Sequence, residues 1–296
     1  MKKILAILLA SVLAVAALTL AACGGSKGGD TPEGSGSAPA PAGSVKIGIP
    51  NDPTNEARAL ALLEAQGLIT LKDTGDVEAT VMDITDNPYN IEFSEIEAAQ
   101  LPNVLPDLDY AIINSNYAIG AQLTPFVTEG TDVSYPNIIA VKEGNENTDK
   151  IKALVAAVNS DAVAAYINDT YKGAIVCDLT TTNADGLDAT VDYDALAGTT
   201  ITIAASPTPH ADILAVAKGI LADKGITLDI QEYNDYVVPN TVVDTGEVDA
   251  NYFQHIPYLN DFNKENGTHI VSVLEVHHEP MGIYSNKYDS LDPIKK

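Results

Sequence analysis

Apolar positions along the chain fall into short β-branched runs and longer stripes at helical spacing, and one ordered combination of the two occurs twice. The first copy opens with Val45 to Ile49 (VKIGI), a strand-like run that ends at Pro50. Asp52 and Pro53 follow as a helix N-cap and first-turn residue, because Asp accepts from the free N–H groups of a helix start and Pro has no N–H to satisfy. Residues 56–66 carry Leu60, Leu63 and small residues on one side. Gly67 suits the left-handed turn that closes a helix, and 68–71 (LITL) returns to extended structure. In the second copy Ile201-Thr202-Ile203 is the strand, Thr208-Pro209 the cap and first-turn pair, and Ile213, Leu214, Ala217 and Leu221 the helical stripe. Gly225 stops that helix and 226–230 (ITLDI) alternates as a strand. Each copy is a βαβ start, which predicts a parallel sheet covered by helices. Two of them predict two α/β lobes with a cleft between, and ligands of such sheets sit beyond the carboxyl ends of the strands, near helix N-termini.

Elsewhere 109–113 (DYAII) reads as a strand leading into Asn114, and 148–170 as one long helix with Ile151, Leu154, Val155 and Val158 on a face. Residues 178–194 are polar, rich in Thr and Asp and without periodicity, so they read as a connector between the halves.

The start of the chain has a different pattern. Lys2 and Lys3 precede an apolar run to Leu20, and Leu20-Ala21-Ala22-Cys23 follows. A positive n-region, an apolar h-region and a small-residue site describe a secretory signal over 1–22. The Cys at its end resembles a bacterial lipoprotein box, which makes Cys23 the lipidated residue; a retained transmembrane helix is the alternative reading of the apolar run. Thirteen of the 20 residues from Gly24 to Gly43 are Gly, Ser or Pro, the composition of a flexible leash, so 23–43 reads as lipidated Cys plus tether.

Charge narrows the function. Sixteen Lys+Arg against 41 Asp+Glu give a net charge of -25, which leaves no pool of cations for nucleic acid phosphates or anionic lipid. Contact with a membrane is therefore expected through the lipid anchor alone. Of the two cysteines, Cys177 remains as a lone thiol with no assigned role. No G-x-S-x-G stands at a strand-to-helix elbow (Gly24 to Gly28 fits the pattern only within the Gly/Ser-rich leash), and Walker A, G-x-G-x-x-G and H-E-x-x-H are missing, so the chain does not read as an enzyme, and no cofactor is called for. His277, His278 and Glu279 are adjacent, but strand neighbours face opposite ways, and no metal-ligand spacing assigns a metal site.

Three clusters suit a small zwitterion instead. Residues 51–58 (NDPTNEAR) put amides and Arg58 in the first turns of a helix, where the guanidinium fork can take a carboxylate or, as readily, a surface acid. Asn114-Ser115-Asn116-Tyr117 follows the DYAII run, and Asn137 precedes another apolar run; each Asn is either a turn former or a ligand donor. Residues 251–258 (NYFQHIPY) gather three aromatic rings and an imidazole, which line a pocket or pack a core.

At these motifs the chain resembles the methionine-binding lipoproteins of ABC importers, the MetQ/NlpA family. The segments IPNDPTNEARALALLEAQGLITLKD, EIEAAQLP, AIINSNYA, EYNDYVVPN, DANYFQHIPYLNDFNKENGTHIV and HEPMGIYSNKYDSLD carry the resemblance. Their order differs: in the family the segment like Ile201 onward comes first and runs into IPNDPTNE, which here stands at the front. The chain therefore resembles a circular permutant, with the usual termini joined through roughly 176–198. Permutation is tolerated where old termini lie close and the new cut is in an exposed loop.

The resemblance implies a two-lobed periplasmic-binding-protein fold of type II, with mixed sheets flanked by helices. Residues 45–112 plus 287–296 are expected in one lobe, and 113–286, including the connector 176–198, in the other. It implies that Arg58 grips the ligand carboxylate with Asn55 beside it and that Asn114 and Asn137 bond the amino-acid head group. Tyr236, Phe253, His255 and Tyr258 would surround the thioether, where sulfur–aromatic contacts contribute roughly 0.3–1.5 kcal/mol each. It also implies an ABC permease and its ATPase as partners and a lipid-anchored position on the extracytoplasmic face of the cell membrane. Alternatives are a receptor for another small amino acid or methionine derivative, an adhesin or sensor that reuses the fold, and an acidic metal-binding receptor using the histidines.

Overall fold

The computed structural model describes residues 43–74, 78–130 and 135–296. The expected signal, Cys23 and all of the tether but Gly43 lie outside the described residues. Eleven strands build two sheets: β1 (Val45–Pro50), β2 (Ile91–Ile96), β3 (Tyr110–Ile113), β4 (Val127–Thr128), β5 (Pro136–Lys142), β6 (Val176–Cys177), β7 (Thr200–Ala205), β8 (Thr227–Glu232), β9 (Ala250–His255), β10 (Ile270–His278) and β11 (Gly282–Tyr284). The first sheet has the order β2-β1-β3-β11-β4 and the second β8-β7-β9-β5-β10-β6. A small hairpin pairs Thr70–Leu71 with Ile84–Asp86.

The second repeated unit forms as expected, β7 pairing parallel with β8 across a helix, but the first does not close on residues 68–71: Thr70–Leu71 turns into the small antiparallel hairpin, and the parallel neighbour of β1 is β2, further along the chain. The first helix is Pro53–Ala65, capped by Asp52 accepting from the Asn55 N–H and closed by Gly67 at φ +68°. The second is Asp212–Ala222, followed by Gly225 at φ +72°. Its start differs from expectation. Thr208 is extended (φ -136°, ψ 141°), and a wide turn over Pro207–Ala211 begins after Ser206, so Thr208 does not cap the helix. β5, β10 and β11 run antiparallel to their neighbours, so each sheet is mixed. Ile47, Ile49, Leu60, Leu63, Ile112 and Ile283 fill the core of the first lobe. Ile201, Ile203, Leu214, Leu221, Val141 and Leu154 fill that of the second.

Two expectations give way to tertiary detail. The long helix over 148–170 is two helices, Asp149–Val158 and Asp161–Tyr171. At the break Ser160 Oγ accepts from the Val163 N–H and starts the second helix, while the Asn159 side chain donates to Thr181 O in the connector. The division expected at residues 112 and 286 also falls elsewhere. β4 and β11 belong to the first sheet, where β11 pairs with β3 and β4. Among the described residues the chain passes between sheets twice, once between β4 and β5 and once from β10 to β11 through residues 279–281. At the far end Leu291 and Ile294 join the core of the first lobe, and Lys295 Nζ donates to Gln66 O. Among the described residues no helix is long and apolar enough to cross a membrane.

Candidate ligand-binding site

A cavity opens between the carboxyl ends of β1 and β3 on one side and β9 on the other. Asn55, Arg58, Asn114, Ser115, Asn116, Asn137, Tyr236, Phe253, Gln254, His255, Tyr258 and Glu279 line it. The free volume inside it is about 20 Å³, room for about one water, so a ligand of amino-acid size needs its walls to move apart. All eight residues singled out from sequence are among its walls, so Arg58 and the Phe253–His255 pair share one hollow.

Asn55 and Arg58 project from the first turns of the Pro53–Ala65 helix because Asp52 and Pro53 set its start beside the end of β1. Asp52 Oδ1 takes both the Asn55 backbone N–H (3.0 Å) and its Nδ2 (2.8 Å). Burial raises the Asp52 pKa, and these same bonds oppose the rise. Asn55 Oδ1 then accepts from Asn114 Nδ2 at 2.8 Å. Both ends of the Asn55 amide are thereby engaged, and its place in the wall is as a brace. Asn114 presents its other atom differently: Oδ1 is buried and has no hydrogen-bond partner among the described residues. A buried acceptor without a donor is costly, so a ligand N–H at this point is favoured.

Arg58 is only 6% exposed. Its Nε and Nη2 donate to the two carboxylate oxygens of Glu129 at 2.8 and 2.6 Å, and Nη2 also donates to Glu279 O at 2.6 Å. The guanidinium carbon lies 4.3 Å from the centre of the Tyr135 ring. Nη1 has no protein partner among the described residues. The fork is therefore a tethered one, with Nε and Nη2 held by the protein.

The aromatic wall comes from β9, the helix Ile256–Asn266 that follows it, and the loop before Val238. Phe253, Gln254 and His255 all reach the cavity although they are consecutive, because the β9–β5 pairing shifts register between Tyr252 and Gln254. Tyr236 lies with its ring centre 5.8 Å from those of Phe253 and Tyr258. The Tyr258 hydroxyl donates to Tyr236 O at 3.0 Å, and the Tyr236 hydroxyl donates to Asn116 Oδ1 at 2.8 Å. The latter bond ties the two lobes. Burial first, and the Arg58 charge second, push the His255 pKa down to about 3, so its imidazole is neutral. Nδ1 accepts from the Tyr258 N–H, which leaves the Nε2 proton facing Asn55 Oδ1 at 3.4 Å.

Asn137 has its side-chain oxygen committed to His210 Nε2 at 2.9 Å. Behind it sits a buried group that sequence spacing did not assign. His210, His277 and Glu279 bring donor atoms within 4.8 Å of one another, a set able to hold a metal ion. Each also has a hydrogen bond of its own. His277 Nε2 donates to Glu279 Oε1 at 2.8 Å, His277 Nδ1 accepts from the Tyr252 hydroxyl, and Glu279 Oε2 accepts from the Asn116 N–H at 2.9 Å. Burial holds His210 and His277 neutral, with pKa values pushed down to about 3, and raises that of Glu279. His278 faces the other way and pairs with Asp178.

Sequence reasoning therefore missed Glu129, Tyr135 and Glu279. Glu279 had a signal in its place after two histidines. Glu129 had none, being one of 41 acids in a stretch with no motif.

The sequence profile of the NlpA lipoprotein family matches residues 41–178 and 201–296. Outer membrane lipoprotein 3 of Mannheimia haemolytica is 42% identical over 134 residues, 44% of this chain and 51% of that one. The D-methionine-binding lipoprotein MetQ of Escherichia coli strain K12 is 39% identical over 137 residues, 44% of this chain and 51% of that one. A solved structure of a nutrient-binding protein from Burkholderia cenocepacia bound to methionine is 44% identical over 44% of this chain and 57% of that chain, with a TM-score of 0.42. The chain spans about half the length of the curated relatives it matches.

Proposed function

The chain belongs to the NlpA lipoprotein family, and on that premise we propose that it is a substrate-binding protein for methionine, held between two lobes. One observation carries the reading: a single cavity has a buried guanidinium and an unpartnered amide oxygen at one end and a set of aromatic rings at the other. In this reading Arg58 Nη1 takes the ligand carboxylate and Asn114 Oδ1 the ammonium. Tyr236, Phe253, His255 and Tyr258 enclose the thioether, with Asn55 and Asn137 bracing the head-group end.

No bond is made or broken. Closure of the lobes holds the amino acid, and the closed form hands it to an ABC permease driven by its ATPase. Cys23 carries the lipid, and residues 24–43 let the body stand off the extracytoplasmic face of the membrane. The body itself is a circular permutant in this reading. Support comes from a profile match in two pieces that leaves 179–200 uncovered, the stretch where the usual termini would be joined. The lobe boundaries that go with it are 45–128 plus 281–296 and 136–278, with 176–198 as the join.

Isothermal calorimetry of the purified chain against L-methionine, D-methionine and a panel of other amino acids tests the reading. Saturable binding of methionine ahead of leucine and glutamine is expected. Heat from none of them ends the proposal, and stronger binding of another apolar amino acid moves it to that ligand.

A further inference from the structure

Glu129 stands at the start of the first crossover between the sheets and is 9% exposed. Its two oxygens accept three N–H groups: Arg58 Nε at 2.8 Å, Arg58 Nη2 at 2.6 Å and the backbone of Met281 at 2.7 Å. A two-point fork of this kind pairs a full carboxylate with a full guanidinium. The positive charge in the cavity wall is thus balanced by the protein itself. Glu129 stands behind Arg58 rather than in the lining; the carboxyl that does line the cavity is Glu279, while burial keeps His210, His255 and His277 neutral. Among the described residues, Arg58, its partner Glu129 and the lining Glu279 sum to zero with Glu279 protonated and minus one with it ionised, and Asp52 behind Asn55 adds no positive charge.

That sum decides which ligands fit. A lone carboxylate brought into this hollow adds an unbalanced negative charge in a poorly screened place. An α-amino acid brings a carboxylate and an ammonium together and leaves the sum unchanged, and Asn114 Oδ1 is ready for the ammonium. We propose that Glu129 is a specificity-determining residue: by neutralising Arg58 it makes the cavity accept net-neutral α-amino acids and reject the anionic acid with the same side chain. This rests on the methionine reading. Discrimination here is built as a repulsive element against the wrong ligand as well as a fit to the right one.

The test compares L-methionine with its 2-hydroxy analogue, which keeps the thioether and carboxylate and lacks the ammonium. Calorimetric affinities are measured for both on the wild-type chain, Glu129→Gln and Glu129→Asp. The wild type is expected to favour methionine by about a hundredfold, the scale set by desolvated charge pairs. Glu129→Gln leaves Arg58 in excess and should narrow that preference by at least about tenfold, with the hydroxy acid gaining relative to methionine. Glu129→Asp keeps the charge at shorter reach; it should weaken both ligands and hold the wild-type ratio. Equal weakening of both by Glu129→Gln, with the ratio unmoved, reduces Glu129 to a prop for Arg58 and overturns the proposal. If Glu129→Gln does not fold, the wild type still decides: binding of the hydroxy acid as tight as that of methionine overturns it. Failure of the wild type to bind methionine overturns the parent reading together with this one.

Discussion

At the Arg58 end the cavity wall and the groups that brace it are drawn from four separate stretches of chain and held by charge and amide hydrogen bonds. Arg58 comes from the first helix, Glu129 and Glu279 from the two crossovers, and Asn114 from the end of β3. At the other end Phe253, His255 and Tyr258 belong to one strand–helix unit, with Tyr236 packed across them. The two ends should fail differently. An ionic wall is brittle, since removal of one partner leaves another charge buried and unpaired. An aromatic wall is forgiving, because a volume-conserving exchange loses few contacts.

Arg58→Ala should break the comparison most severely. Glu129 then stays buried with only the Met281 N–H, and about 3–5 kcal/mol of unfolding free energy should go, together with measurable methionine affinity. Urea unfolding read by circular dichroism checks the first and calorimetry the second. A stability loss under about 1 kcal/mol would mean that the fork relaxes into water and that this end is no more brittle than the other.

Acid probes both ends at once. His210 and His277 sit behind the ionic wall and His255 in the aromatic one, and all three have pKa values lowered in the fold to about 3 from 6.5. Lowered imidazoles contribute stability that is present above the unfolded value and lost as pH falls below it, because the unfolded chain binds the extra protons. On the order of 1 kcal/mol per imidazole should be lost between pH 7.5 and 5.5. Glu279, raised by burial, acts in the opposite sense nearer its own ordinary range. His255→Gln should remove about a third of the slope; a slope untouched by that change places the acid sensitivity wholly at the ionic end.

Phe253→Leu should cost under about 1.5 kcal/mol of stability. It should also shift preference from methionine toward leucine by a few-fold, on the scale of a lost sulfur–aromatic contact of about 0.3–1.5 kcal/mol. Paired titrations with the two amino acids show whether ring electronics or volume sets the side-chain end. Tyr258→Phe is the mildest change. It removes one hydroxyl bond to Tyr236 O and should cost about 0.5–1.5 kcal/mol by thermal unfolding, with methionine affinity nearly kept.

The elements that sequence foretold well are those whose signals are local. Asp52, Pro53 and Gly67 delimit the first helix as their backbone preferences require. Where a distant partner intervenes, the local signal misleads. The apolar stripe over 148–170 continues without interruption, yet Ser160 and Asn159 break it because the connector docks there. Thr208-Pro209 has the composition of a cap, but both residues lie inside the wide turn that the Ala211 N–H closes on Ser206 O. The lobe boundary was misread for a related reason: β4 and β11 are two and three residues long, too short to show a period, and belong to the first sheet only by their pairing.

By itself the sequence determined the capped first helix, the second βαβ unit and the apolar faces that fill the cores, since each of these depends on neighbours within a helix turn or a strand pleat. Tertiary structure alone decided the charge state of the site. Arg58 is read from its motif as a fork for a ligand carboxylate or a surface acid, and only the two crossovers reveal that Glu129 and the Glu279 carbonyl, both buried, hold it. Electrostatic pairing in a buried wall is a matter of ångströms between residues 71 and 221 positions apart, and no periodicity or cap along the chain encodes such a distance.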